Sequence, residues 1–248
     1  MLAAPPHSLL DGASLFLDFD GTLVELADRP DRVVIGPDLR PLLLDLRDAL
    51  EGRLAIVSGR SVATLRMAFG LSDFLLSGSH GLEHARPGQS AEAMDRPPAI
   101  DFVLEKLRVF ASVRPGILVE EKTLGAGLHF RLAPQYEADC LSLCMQLADE
   151  TGLYLQRGKM LFELRPGHAG KGSAVTHLLK ATELGGGLPI FIGDDVTDEE
   201  GFLAATRHNG AGILAGAPRP TAALYRLEGV AAVRGWLSEC RERLLKGG

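Results

Sequence analysis

Leu15-Phe16-Leu17-Asp18-Phe19-Asp20-Gly21-Thr22-Leu23 is the stretch from which the fold is read. The apolar run Leu15–Phe19 has no polar alternation, the pattern of a strand covered on both faces, as in a parallel sheet. Asp18 breaks into that run where burying a charge is costly. Asp20 follows two residues later, and Gly21 then permits a sharp turn. In doubly wound sheets the ligand crevice lies beyond the carboxyl ends of the strands, where these two acids would stand. A plain Asp-Gly hairpin turn with solvated acids accounts for Asp20 and Gly21. It leaves Asp18 without a reason.

Outward from this stretch the same short apolar runs recur. Leu54–Val57, Phe74–Leu76, Pro189–Ile192 and Gly212–Leu214 read as buried strands, and Asp38–Leu50, Val62–Phe69, Gly172–Thr182 and Asp198–Thr206 carry helical spacing between them. Gly36-Pro37 suits a helix start, because proline is accepted in the first turn. Strands alternating with helices predict an α/β core, a doubly wound parallel sheet with helices on both faces. The middle of the chain differs. Arg86–Pro98 holds three prolines and reads as a linker. A helix at Ile100–Ser112, strands at Ile117–Glu121 and Gly127–Leu132, a helix at Gln135–Thr151 and strands at Leu153–Arg157 and Met160–Leu164 follow. This α+β unit is predicted as an insertion at 85–165, with 1–84 and 166–248 forming the core.

Composition narrows the function. The 248 residues carry 26 Lys and Arg against 32 Asp and Glu, a net charge of -6. A phosphate-backbone binder wants the opposite sign, so nucleic acid is not an expected partner. A small anion remains possible, since a local cluster of cations outweighs a weak global field. Cys140, Cys144 and Cys240 lack metal-ligand or disulfide spacing and read as packed thiols in a reducing, cytoplasmic setting. Met1–Ser14 lacks the basic and apolar regions of a signal peptide, and no apolar run reaches membrane-spanning length.

Three more strand ends carry chemistry. Ser58-Gly59-Arg60 follows the Leu54–Val57 run, where a hydroxyl and backbone N–H groups at a helix start would cradle an anion. Helix capping alone explains Ser58 as well. Gly170-Lys171-Gly172-Ser173 places a lysine between glycines before a helix, without the glycine spacing of a P-loop. Gly193-Asp194-Asp195-Val196-Thr197-Asp198-Glu199-Glu200 follows another buried run. Thr197 and Glu200 are spaced as a capping box, which leaves Asp194 and Asp195 to be explained. Hard oxygen ligands in this number suit Mg²⁺ rather than Zn²⁺. A carboxylate approaching a phosphate to about 4 Å meets roughly 4 kcal/mol of repulsion per unit pair in a partly screened site. A cation and Lys171 would offset it.

These four segments, in this order, resemble the haloacid-dehalogenase superfamily of aspartate-nucleophile phosphatases. The resemblance implies Asp18 as the nucleophile, Asp20 as acid and then base, and Ser58, Gly59, Arg60 and Lys171 as holders of the phosphoryl group. It implies Mg²⁺ as cofactor, held by Asp18, Asp20 and Asp194, with Asp195 and Asp198 behind them. The inserted unit is similar to the αββαββ cap of sugar-phosphate members. His80-Gly81-Leu82-Glu83, Val119-Glu120-Glu121-Lys122-Thr123, His129-Phe130-Arg131, Gly158-Lys159, Glu163-Leu164-Arg165-Pro166 and the tail from Tyr225 to Leu237 resemble the trehalose-6-phosphate phosphatase family. Glu121 departs from that pattern, which has Asp there. The resemblance implies hydrolysis of trehalose 6-phosphate by a cytoplasmic monomer whose partner is a small-molecule sugar phosphate, with no membrane or nucleic-acid partner. Lys122 and Glu163, then Glu120, Lys159 and His80, are the expected sugar-binding residues. Competing expectations are a capped phosphatase for sucrose 6-phosphate or mannosyl-phosphoglycerate, a phosphosugar mutase, and a phosphoacceptor receiver domain, which would be half as long and uncapped.

Overall fold

A computed structural model describes residues 2–27, 33–67, 69–93, 95–167, 169–180 and 184–247. In chain order the elements are β1 (Ser14–Leu17), α1 (Leu39–Ala49), β2 (Leu54–Val57), α2 (Val62–Met67), β3 (Leu75–Gly78), β4 (Glu83–Ala85), β5 (Glu92–Ala93), α3 (Ala99–Ser112), β6 (Leu118–Lys122), β7 (Gly125–His129), α4 (Glu137–Thr151), β8 (Tyr154–Gly158), β9 (Leu161–Arg165), α5 (Lys171–Lys180), β10 (Pro189–Gly193), α6 (Glu199–Arg207), β11 (Ala211–Ala215), β12 (Tyr225–Leu227) and α7 (Val230–Gly247). Ala68 and Met94, and the Ala181-Thr182 end expected for α5, lie outside the described residues.

The chain divides into two compact units, Met1–Glu92 with Gly170–Gly248, and Ala93–Ala169. The sequence placed these divisions after residues 84 and 165. The difference has a physical reason at the first boundary. Glu83–Ala85 pairs antiparallel with β3, and β5 extends the same sheet, so the stretch read as a linker begins as sheet edge.

The first unit is built on a sheet ordered β12-β11-β10-β1-β2-β3-β4-β5, parallel from β12 through β3. Side chains alternate between its faces. Leu15 and Leu17 join Leu39, Leu43 and Leu46 of α1 and Val233 and Leu237 of α7 in one core. Phe16 points the other way, with Val175 and Leu178 of α5 and Phe202 of α6. Each such fully buried side chain contributes about 1.5–3 kcal/mol, so an unalternating apolar strand has a place only between two helical layers.

Register then positions the chemistry. Leu17 stands opposite Ile192 in β10 and Ile56 in β2. The residues just past these three parallel strands therefore emerge along one edge. They are Asp18, Ser58 and Asp194.

The second unit is a four-stranded antiparallel sheet, β6-β7-β9-β8, with α3 and α4. Leu128, Phe162 and Leu164 pack with Ile100, Leu104 and Leu107 of α3 and Cys144 and Leu147 of α4. The period of two turns Glu120, Lys122, His129, Glu163, Arg165 and Gln156 to the opposite face. All three cysteines are buried and free. Burial pushes Cys140 up to about 11 and Cys144 and Cys240 up to about 12, so they are inert packed thiols. Among the described residues no helix is long and apolar enough to cross a membrane.

Candidate active site

Asp18 continues from β1 with its N–H donating to the Ile192 carbonyl at 2.9 Å, and the residue is only 3% exposed. Behind it the chain folds tightly: the N–H groups of Leu23 and Val24 both donate to the Phe19 carbonyl. Gly21 carries this turn with φ +84°, a conformation open to glycine and costly for other residues.

Lys171 opens α5 and reaches across the sheet edge, where its Nζ donates to Asp18 Oδ1 and to Asp198 Oδ1, both at 2.6 Å. All three side chains are buried. Asp198 Oδ2 in turn accepts the N–H groups of Asp194 and Asp195 at 3.0 and 2.9 Å. That arrangement corrects the expected capping box. The reciprocal pair is Asp195 with Asp198, across a single 3₁₀ turn before α6, rather than Thr197 with Glu200. The extra turn shifts the cap two residues toward the N-terminus.

Asp18, Asp194 and Asp198 each offer a carboxylate oxygen within 4.8 Å of the others. Burial pushes the Asp18 carboxyl well above its ordinary value, and Asp198 and Asp194 add to the shift while Lys171 opposes it. Burial likewise works against the Lys171 ammonium, but Asp18 and Asp198 outweigh it and hold its value raised. Asp18 Oδ2 is buried without a hydrogen-bond partner. Three acidic side chains converging with oxygens this close fit a divalent cation with oxygen ligands. Asp198, expected behind the metal ligands, lies this close to Asp18 and Asp194 with both of its oxygens already accepting hydrogen bonds.

Ser58 is buried after β2, and its Oγ accepts the Arg60 N–H at 3.1 Å. Capping of α2 falls elsewhere: Ser61 Oγ accepts the Thr64 N–H at 3.1 Å, and Glu83 accepts the Val62 N–H at 2.9 Å. Arg60, expected at the phosphate, grips Asp20 through both carboxylate oxygens at 2.6 and 2.7 Å, with its guanidinium stacked 4.9 Å from the Phe69 ring centre. Ser79 and His80 adopt left-handed φ values of 48° and 55°, and their N–H groups donate to the carbonyls of Arg60 and Ser58. His80 is therefore part of the backing of the Ser58-Gly59-Arg60 turn.

In the second unit, Lys122 pairs with Glu163, both buried. Glu120 lies 4.0 Å from the Lys122 ammonium and 2.8 Å from His129 Nε2. Burial raises the Glu120 carboxyl, but Lys122 and His129 outweigh it and hold it below the usual value. Lys159 is exposed in the β8–β9 turn. Glu121 pairs with Arg96 and Arg108 on the other face. Gln156 and Arg219 carry no signal in the motifs above, and Glu83 and Arg165 stand in them without a role. Arg165 Nη2 donates to Gln156 at 3.0 Å, and Arg219 Nη2 donates to the carbonyls of Asp195 at 2.8 Å and Asp194 at 3.4 Å. A cross-strand alternation of polar residues signals the first pair; nothing local signals Arg219.

The mixed α/β sheet, its inserted α+β unit and the acids at its strand ends are those of the haloacid-dehalogenase class. The likeness extends along almost the whole chain. Residues 16–231 match the family model described as trehalose-phosphatase. A Sinorhizobium fredii protein named "Probable trehalose-phosphate phosphatase" is 37% identical over 91% of this chain and 86% of its own length. The trehalose-6-phosphate phosphatase of Escherichia coli is 35% identical over 90% and 84%. Among solved structures, a trehalose-6-phosphate phosphatase related protein superposes with TM-score 0.80 at 26% identity, covering 94% of this chain and 99% of that one. The C-terminal domain of a Candida albicans trehalose-6-phosphate phosphatase reaches TM-score 0.83 at 20% identity, over 98% of each chain, a likeness of fold. The chain belongs to the trehalose-phosphatase family.

Proposed function

We propose that this chain is a Mg²⁺-dependent phosphatase that hydrolyses trehalose 6-phosphate to trehalose and phosphate through an aspartyl-phosphate on Asp18. Family membership supports the substrate. The observation that carries the chemistry is Asp18 itself: one oxygen is tied to Lys171 while the other is buried without a partner, an oxygen held ready to form a bond.

In the first step Asp18 Oδ2 attacks phosphorus, and the bond from phosphorus to the sugar oxygen breaks. Asp20, once released from Arg60, gives that oxygen its proton. Asp20 then takes a proton from water, the water oxygen attacks the phosphorus of the aspartyl-phosphate, and the bond to Asp18 breaks to release phosphate. Ser58 and the Gly59-Arg60 turn supply hydrogen-bond donors for the phosphoryl oxygens, and Lys171 holds their charge. Asp18, Asp194 and Asp198, with the Asp20 carbonyl, are the groups to hold Mg²⁺, which supplies electrostatic stabilisation of the charge that develops on the transferring group. In the inserted unit, Lys122, Glu163 and Glu120 offer donors and acceptors suited to sugar hydroxyls, the groups that must distinguish one phosphate ester from another.

Phosphate release with Mg²⁺ across a panel of disaccharide and monosaccharide phosphates tests this reading. Trehalose 6-phosphate is expected to give the highest kcat/KM. Preference for sucrose 6-phosphate or mannosyl-phosphoglycerate would overturn the substrate, and a stable phosphoenzyme without turnover would overturn the reaction.

A further inference from the structure

The Asp194-Asp195 turn is held from two sides by different residues. Its N–H groups are taken by Asp198. Its two carbonyls are taken by Arg219, which approaches from the loop after β11. The other terminal nitrogen of Arg219 pairs with Glu199, whose second oxygen accepts the Ala222 N–H at 2.7 Å. One guanidinium thus links two carbonyls at the site to a carboxylate at the start of α6. Arg219 lies between Pro218 and Pro220, so its own φ/ψ choices are restricted by the ring that follows and its neighbours' φ values are set. The loop is also tied down at both ends: Gly216 donates to the Leu227 carbonyl and Leu224 to the Gly212 carbonyl, both at 2.9 Å. This is a rigid arm carrying a planar donor to the backbone of an acid at the site.

We propose that Arg219 is a positioning residue for metal binding: by fixing the Asp194 and Asp195 carbonyls it sets the direction of the Asp194 carboxylate toward Asp18 and Asp198. The inference rests on the metal reading above. A carboxylate whose backbone rotates loses its aim even when its side chain is intact, and partners behind a ligand commonly hold about 10–100-fold in metal affinity. Lysine cannot replace Arg219, because a single ammonium lacks the planar fork that serves carbonyls and carboxylate together.

The test is calorimetric titration of the full chain with MgCl₂, without substrate, for wild type, Arg219→Gln and Arg219→Lys, followed by phosphate release at varied Mg²⁺. Both variants are expected to bind Mg²⁺ at least about tenfold more weakly. Their turnover should fall at low Mg²⁺ and recover as Mg²⁺ rises, with the sugar-phosphate KM at saturating metal within about twofold of wild type. If Arg219→Gln does not fold, Glu199→Gln loosens the same arm while keeping the arginine, and a weakening of about threefold or more is expected. Mg²⁺ affinity equal to wild type in the folded variants, or turnover depressed equally at low and saturating Mg²⁺, would overturn the inference alone. A wild-type chain that takes up no Mg²⁺ would overturn the metal reading together with it.

Discussion

Gly21 and Asp194 approach so closely that a Cβ on Gly21 would lie 2.5 Å from the Asp194 Cγ and 2.7 Å from its Oδ1. Gly21 also holds φ at +84°, where other residues are strained by about 1–2 kcal/mol. Gly21→Ala is therefore expected to displace the Asp194 carboxylate. The loss should be at least about tenfold in kcat/KM, or about 1.4 kcal/mol of barrier, with a raised Mg²⁺ requirement in steady-state assays. Kinetics like wild type would mean that the turn yields without moving the acid.

Asp18→Asn keeps the shape of a buried side chain but removes its negative charge and its capacity to attack phosphorus. Turnover is expected to fall by about a thousandfold or more, roughly 4 kcal/mol. Phosphate release beside a circular dichroism check of the fold measures it. A tenth of wild-type activity in the variant would exclude the covalent route.

Chelation should inactivate the enzyme and Mg²⁺ restore it, since three acidic side chains converge there with oxygens within 4.8 Å of one another. Asp194→Ala removes one of those carboxylates, and the half-saturating Mg²⁺ concentration is expected to rise by about tenfold or more. Full turnover in excess EDTA is the result that contradicts this.

Lys122 and Glu163 form a buried ion pair on the polar face of the second sheet. Removing either partner takes the nearest counter-charge from the other, still buried, at a cost of about 3–5 kcal/mol in stability. Lys122→Met with Glu163→Leu should recover stability in denaturant unfolding. It should still lower kcat/KM for trehalose 6-phosphate by about tenfold, while hydrolysis of p-nitrophenyl phosphate changes little. Equal losses on both substrates would assign the pair to the fold alone.

His84 of β4 stacks on His177 of α5 with ring centres 4.1 Å apart. Burial and His177 push its value down from 6.5 to about 4, with Glu92 opposing. As pH falls through 6.5 the unfolded chain takes up a proton that the folded chain refuses until about pH 4. The stability from a neutral His84 is therefore complete above 6.5 and is lost as pH falls toward 4. His84→Phe should flatten the thermal midpoint over this window relative to wild type. An unchanged profile would mean that His84 titrates normally in the fold.

Burial is written in the sequence because it is a property of each residue's own surface and of its spacing. The run ending at Asp18 demanded a two-sided core, and parallel strands in register deliver their last residues to one edge. That is why Asp18, Ser58 and Asp194 were legible together before any coordinate. Partner choice is another matter. Arg60 could be read as a phosphate donor, yet it closes on Asp20, 40 residues away. Glu83 caps a helix that starts 21 residues earlier, and Arg219 reaches carbonyls 24 and 25 residues back. Hydrogen bonds and ion pairs act over about 3 Å, a distance that periodicity does not encode. Only the packed sheet and helices bring these segments within it. The sequence by itself determined the layers, the edge and the acids on it. The tertiary structure decided which charge answers which.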